Sequence, residues 1–265
     1  IAAVMMEPAT TISPCPSICS KILSHDAPCS ACPNNRQNFL YQTQELCRQE
    51  GALFILDEMI TGFRWHLQGA QTYFGVDPDL STFGKGMANG FSVAALVGRR
   101  KFLDVGSIDE VGRERTFLLS STHGAEMVSL RAFLETVRVY QTQDVCRKIW
   151  NYGEKLFDGM NNISREMGLE EYFFMEGSAV SMNYVTLDAK RQQSLAFRTL
   201  FAQEMARSGV LMSWIAVSLS HGNDELELTL RATRKSLEVF SKALEGGVEG
   251  FLEGSTIKPV FRKFN

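Results

Sequence analysis

The chain is short of several things, and each shortage removes a class of function. Its 265 residues carry a net charge of only −3 and a sequence pI near 5.9, and no stretch alternates Lys or Arg with aromatics. Such a chain has no broad positive field to hold nucleic acid, so no nucleic-acid partner is expected. Long apolar runs are also missing: residues 52–56 and 91–98 are nearly apolar but fall far short of the roughly 20 residues that cross a bilayer. No membrane partner is expected. The opening Ile1-Ala2-Ala3-Val4-Met5-Met6 has no starting Met, no basic segment ahead of it and no small-residue cleavage site behind it. It does not read as a signal peptide; it reads as an interior strand, as though the chain began inside something larger. With no secretory signal, a cytoplasmic, reducing setting is expected.

What is present points to a globular protein. An apolar fraction of 45% with 22% charged residues is enough for a full hydrophobic core. The six cysteines are unevenly spread. Cys47 and Cys146 fall in predicted helices, where they read as small buried hydrophobes. Cys15, Cys19, Cys29 and Cys32 crowd into residues 9–35, a segment too dense in Pro, Ser, Cys and Asn for any long regular element. Their C-x3-C and C-x2-C spacings suit a tetrahedral thiolate site, with zinc as the candidate metal and His25 able to replace one sulfur; the alternative is a loop of free thiols. His66 and His123 read as hydrogen-bonded structural histidines, and His221 as part of a helix-capping segment.

Hydrophobic periodicity predicts a helix over 38–50 with Gly51 as its stop, then a short buried strand over 52–56 that ends in Asp57-Glu58. Further strands are predicted over 80–83 and 92–97. From about residue 123 the pattern changes to long amphipathic helices over 126–140 and 145–167. A strand over 179–185, a helix over 192–207, short strands over 210–214 and 216–219, and a last helix over 224–244 capped by Asn223 or Asp224 complete the reading. Helices alternating with buried strands make a three-layer α/β domain over 1–169, followed by a smaller α+β domain over 170–265.

Two residues stand where chemistry is expected. Asp57 closes a buried strand, the place where open α/β sheets present ligand-binding groups; by position alone it could equally be a helix cap or a rim ion pair. Lys85 follows another strand and is flanked by Gly84 and Gly86, which let the backbone turn sharply and let a flat group approach. Alone, the turn also suits a solvated lysine, and it is not a nucleotide phosphate loop. Together they form a sharper pattern. An aldehyde cofactor needs an amine to form a Schiff base and a carboxylate to keep its pyridine ring protonated.

At these residues the sequence resembles the class III pyridoxal-phosphate aminotransferases of fold type I, and within them glutamate-1-semialdehyde 2,1-aminomutase and its relatives. The resemblance runs through Ala2 to Pro8, LFILDEMITGFR at 53–64, GAQTYFGVDPDLSTFGKGMANG at 69–90 and STHGAE at 121–126, and weakly on to the last helix. It implies that Lys85 is the Schiff-base lysine, that Asp57 partners the pyridine nitrogen and that Ile60 packs on the ring. It further implies that Thr122 offers a hydroxyl to the cofactor phosphate across the interface of a homodimer. The family places a phosphate-binding turn and a ring-stacking aromatic ahead of the residues present here. Three departures weaken the transfer of substrate: Glu126-Met127 stands where the aminomutase pattern has Asn-Pro, the four-cysteine loop is extra, and residues 211–214 diverge. The expected activity is therefore an amino-group transfer or 2,1-shift on a small amino/keto or amino-aldehyde substrate, glutamate-1-semialdehyde-like. The alternatives are a metal-binding or interaction module built on the loop from Cys15 to Cys32, and a non-catalytic remnant of the fold.

Overall fold

A computed structural model describes residues 1–10, 12–15, 23–107, 109, 111–112, 114, 124 and 126–259. They fall into two compact units, Ile1–Lys148 and Ile149–Asn265. The boundary lies in the first turn of the helix Val145–Glu166, whose far end is close to residue 169, where the sequence placed the domain limit.

The first unit is built on a four-stranded sheet of order β1 (Ala3–Met6), β2 (Leu53–Asp57), β3 (Leu80–Phe83) and β4 (Ala95–Gly98). The first three strands are parallel, Val4 facing Phe54 and Ile55 facing Leu80, and β4 closes antiparallel with Leu80 opposite Gly98. β1 is the sheet edge in this chain, with Met5 56% exposed, so the predicted interior strand lacks cover on its outer side among the described residues. Helix α1 (Phe39–Glu50) leads into β2. Asn38 caps it by accepting a hydrogen bond from the Leu40 N–H at 2.8 Å, and Gly51, at φ 67°, ends it in the left-handed region. Leu40, Gln44 and Cys47, spaced four and three apart, form its buried stripe.

After β2 the chain makes a tight turn, a short helix α2 (Ala70–Phe74) and β3. The one-turn helix α3 (Arg100–Leu103) follows β4, and α4 (Met127–Gln143) comes next. Two aromatic clusters fill the space beside the sheet: Phe63 meets Phe83, Phe133 and Tyr140 edge-on, and Trp65 packs with Tyr73 and Phe74. Edge-to-face contact of this kind adds to the area they bury.

The second unit holds most of α5 (Val145–Glu166), a hairpin of β5 (Phe173–Ser178) and β6 (Ser181–Thr186), then α6 (Leu195–Arg207) and α7 (Asn223–Gly246). Phe173, Tyr184, Phe201 and Phe240 meet in its core, all nearly fully buried. Gly222 precedes α7 and gives its N–H to Glu225 Oε2 at 2.8 Å, so the cap lies one residue ahead of the predicted Asn223.

Two differences from the sequence reading concern this unit. Residues 210–214 and 216–219, predicted as strands, are irregular and pair with neither edge of the hairpin. Met212 instead has its carbonyl taken by the Tyr184 hydroxyl at 3.1 Å. β5 was missed, although its alternating buried Phe173 and Met175 carry the period-two signal, and β6 starts at Ser181 because Ala179 and Val180 form the turn. Among the described residues no helix is long and apolar enough to cross a membrane.

The packing of α5 on that turn leaves no room for a methyl group. A Cβ on Gly153 would sit 1.9 Å from the Ala179 carbonyl oxygen, a backbone atom that cannot swing aside. Gly153→Ala is expected to destabilise the second unit by about 1–3 kcal/mol, the usual cost of overpacking, despite alanine's better helix propensity. An unchanged urea midpoint would show that the turn can move away freely.

Candidate active site

The site forms where β2 and β3 end side by side. Asp57, the last residue of β2, lies opposite Thr82. Its Oδ1 accepts two hydrogen bonds, from the Met59 N–H at 3.0 Å and from the Thr82 hydroxyl at 2.9 Å. Among the described residues Oδ2 accepts none. The carboxylate is thus fixed in orientation through Oδ1, with Oδ2 able to accept from a further donor. A cleft of about 370 Å³ opens beside it, lined by Asp57, Met59, Thr82, Phe83 and residues of β4.

Three residues beyond Thr82, Lys85 opens a 3-10 turn and is exposed. Its φ of 40° lies in the left-handed region that a residue with a Cβ rarely adopts. At Gly84 a Cβ would lie 2.4 Å from the Met59 Cε and 2.8 Å from its Sδ, so a larger residue there would push aside the flexible end of the Met59 side chain. Ile60 lies half-exposed in the turn that follows β2.

The turn between β2 and α2 is organised by Glu58, which the sequence shows only as the polar residue that ends a strand together with Asp57. Glu58 is fully buried. Its Oε2 accepts from the Thr61 hydroxyl at 2.6 Å and the Ala70 N–H at 2.9 Å, and its Oε1 from the Gln71 N–H at 2.7 Å. The carboxylate therefore caps α2 from twelve residues away and holds the turn that carries Ile60. Burial pushes its pKa up, against the lowering effect of these hydrogen bonds. A carboxylate that caps a helix from so far along the chain leaves no local capping signature. Nearby, burial lowers the pKa of Arg64.

His66 plays the structural part expected of it: its Nδ1 accepts the Gln68 N–H at 3.0 Å, and burial lowers its pKa. His221 likewise accepts the Ser218 N–H at 3.1 Å. Thr122 and His123 lie outside the described residues.

In the cysteine-rich segment, Cys15 and Cys29 are in contact, with Sγ atoms 3.1 Å apart, and Asn38 donates to Cys29 Sγ at 3.4 Å. The Cys15 hydrogen bond, helped by Asn38 and opposed by burial, holds the Cys29 pKa down at about 7. Cys19 lies outside the described residues, and Cys32 is half-exposed. Among the described residues no group of three or more His, Cys, Asp or Glu could hold a metal, so the four-thiolate zinc site finds no support. Cys47 and Cys146 are buried as expected; burial pushes the Cys146 thiol up to about 12.

The profile of the Aminotransferase class-III family matches residues 33–213. The chain belongs to that family. The class-III match contains both Asp57 and Lys85. Among curated relatives, the chain is 32% identical over 215 residues to the 3-aminobutyryl-CoA aminotransferase of Cloacimonas acidaminovorans (strain Evry), covering 79% of this chain and 49% of that protein. It is 30% identical over 216 residues to the glutamate-1-semialdehyde 2,1-aminomutase of Alkaliphilus oremlandii (strain OhILAs), covering 78% and 49%. It thus spans about half the length of these class-III relatives. Among solved structures, an omega-transaminase from Sphaerobacter thermophilus superposes with a TM-score of 0.70 at 21% identity, over 90% of this chain and 52% of that one. A transaminase solved with PLP bound gives a TM-score of 0.68 at 24% identity, over 79% and 48%. The α/β architecture, a larger sheet-bearing unit and a smaller hairpin unit, is that of the fold type I transferases.

Proposed function

We propose that this chain carries the cofactor-holding lysine of a pyridoxal-phosphate-dependent enzyme that moves an amino group on a small amino/keto or amino-aldehyde substrate, glutamate-1-semialdehyde-like. The observation that carries this reading is the junction of β2 and β3, where Asp57 keeps Oδ2 unpaired beside a cleft and Lys85 is offered on a glycine-flanked turn. Class-III membership supports it.

The cofactor, when bound, supplies an aldehyde for covalent capture of amines and a ring that takes up electrons as a substrate C–H bond breaks. The chain's own residues do the rest. Asp57 Oδ2 would accept a hydrogen bond from the protonated ring nitrogen, while the Thr82 hydroxyl and Met59 N–H keep the carboxylate from rotating away. Lys85 Nζ would be the amine that holds the aldehyde, and when free it would be the base placed to take a proton from the substrate carbon and return it elsewhere. By the family resemblance, Ile60 would pack on the ring face and Thr122 would offer its hydroxyl to the phosphate across the interface of a cytoplasmic homodimer.

Asp57 gives the direct test. Asp57→Ala is expected to retain covalent capture at Lys85 but to lose about 100- to 1,000-fold in turnover, the usual range for losing one preorganised charge partner. Absorbance of the bound cofactor and steady-state rates on glutamate-1-semialdehyde and on amine/keto-acid pairs would follow both effects. Unchanged turnover in this variant would remove Asp57 from the site.

A further inference from the structure

The four-cysteine segment is not used by the chemistry above, yet two of its sulfurs are placed with care. We propose that Cys15 and Cys29 form a dithiol that closes reversibly to a disulfide and fastens Pro14-Cys15 to Cys29 at the start of α1. Their sulfurs are already 3.1 Å apart, and a side-chain adjustment of about 1 Å brings them to the S–S bond length near 2.05 Å.

Both ends are held by backbone already in position. The Phe39 N–H, at the first residue of α1, donates to the Pro14 carbonyl at 2.8 Å, which anchors the residue before Cys15. Cys29 opens a 3-10 turn, Cys29–Ala31, whose last bond runs from the Cys32 N–H to the Cys29 carbonyl at 3.0 Å. Asn38 joins the two features: its Nδ2 donates to Cys29 Sγ and its Oδ1 caps α1. The pair is therefore part of the N-terminal cap of α1. Closure requires no rearrangement of that helix.

Access is narrow and unequal. Cys15 is 8% exposed and Cys29 only 1%, so an oxidant small enough to enter is required, and hydrogen peroxide meets that condition. One sulfur, as thiolate, attacks a peroxide oxygen; the O–O bond breaks, hydroxide leaves and a sulfenic acid forms. The second sulfur attacks it, the S–S bond forms and the sulfenic oxygen leaves as water. Two thiols and one peroxide give one disulfide and two waters, with two electrons passing from sulfur to peroxide. Disulfides in reducing compartments are characteristically transient and redox-sensing, and a thiol reductant reopens this one.

The test uses the full-length, cofactor-loaded protein, reduced and then exposed to equimolar hydrogen peroxide. Remaining thiols are alkylated, and the denatured protein is digested with trypsin without reductant. Lys21 lies between the two cysteines, so cleavage after it separates them unless a disulfide holds the fragments together. The expected product joins Cys15 to Cys29 and leaves Cys47 and Cys146 alkylated. The melting temperature is expected to rise by several degrees on oxidation and to return with dithiothreitol. In Cys15→Ala, chosen because it leaves the Asn38 contact to Cys29 in place, the rise should vanish. A disulfide between other cysteines, Cys29 over-oxidised without pairing, or a thermal shift that persists in Cys15→Ala would each overturn the proposal. So would zinc co-purifying at one equivalent and shielding these sulfurs from both reagents until chelated, because the contact would then belong to a metal site.

Discussion

Lys85→Ala is expected to lose about 10⁴-fold in turnover, the upper end of what a positioned acid–base group supplies, and to lose covalent cofactor capture altogether. The two losses would have one cause, since on the proposed mechanism the same Nζ holds the aldehyde and then shuttles the proton. Borohydride reduction followed by peptide mapping reads the first loss, and single-turnover rates read the second. Because the turn holds Lys85 at a φ of 40°, alanine at this position keeps a similar backbone strain, so the fold should change little. Mixing this variant with Thr122→Ala should then restore some activity, because a mixed dimer holds one site with both residues intact. Cofactor captured on another lysine in Lys85→Ala would refute the assignment, and failure of the mixture to recover would refute a shared site.

The parts of the site that were legible in the sequence are those set by local pattern. β2 and β3 are short apolar runs whose ends carry the polar residues, and the Gly-Lys-Gly turn marks its own geometry. Gly51 ends α1 as the stop read from sequence requires, and Asn38, read as the first residue of that helix, is its N-terminal cap. What was not legible depends on partners far along the chain. Glu58 could not be recognised as the cap of α2, because its acceptors' donors at Ala70 and Gln71 lie twelve and thirteen residues away. The contact between Cys15 and Cys29 depends on how α1 draws Pro14 and Asn38 together, and spacing alone suggested a metal instead. Residues 210–219 have strand composition, but among the described residues neither edge of the β5–β6 hairpin pairs with them, and composition alone does not supply a partner.

Glu58 gives the largest expected effect on stability. Glu58→Ala removes three accepted hydrogen bonds at once and leaves the Thr61 hydroxyl and the Ala70 and Gln71 N–H groups to find other partners. Buried donors left unsatisfied cost about 1–3 kcal/mol each, and water entering the vacated space offsets part of this, so a net loss of about 3–5 kcal/mol is expected. Gly69 cannot compensate by a larger side chain, since a Cβ there would lie 2.7 Å from the Glu58 Oε1 in the native arrangement. The pH dependence separates this carboxyl from the others. Burial raises its folded pKa above the ordinary 4.5, so between those two values the folded chain binds the proton more tightly than the unfolded one. Its contribution is therefore fully present below pH 4.5 and is lost as pH rises through the folded value. Glu58→Gln cannot titrate and should lack this slope, while its amide, presented to N–H donors, keeps it less stable than the parent near neutrality. Urea midpoints of parent and Gln variant, taken in steps from pH 4 to 8, give the difference directly. A difference that stays constant with pH, or widens as pH rises, would mean that Glu58 is not the destabilised buried carboxylate its surroundings imply.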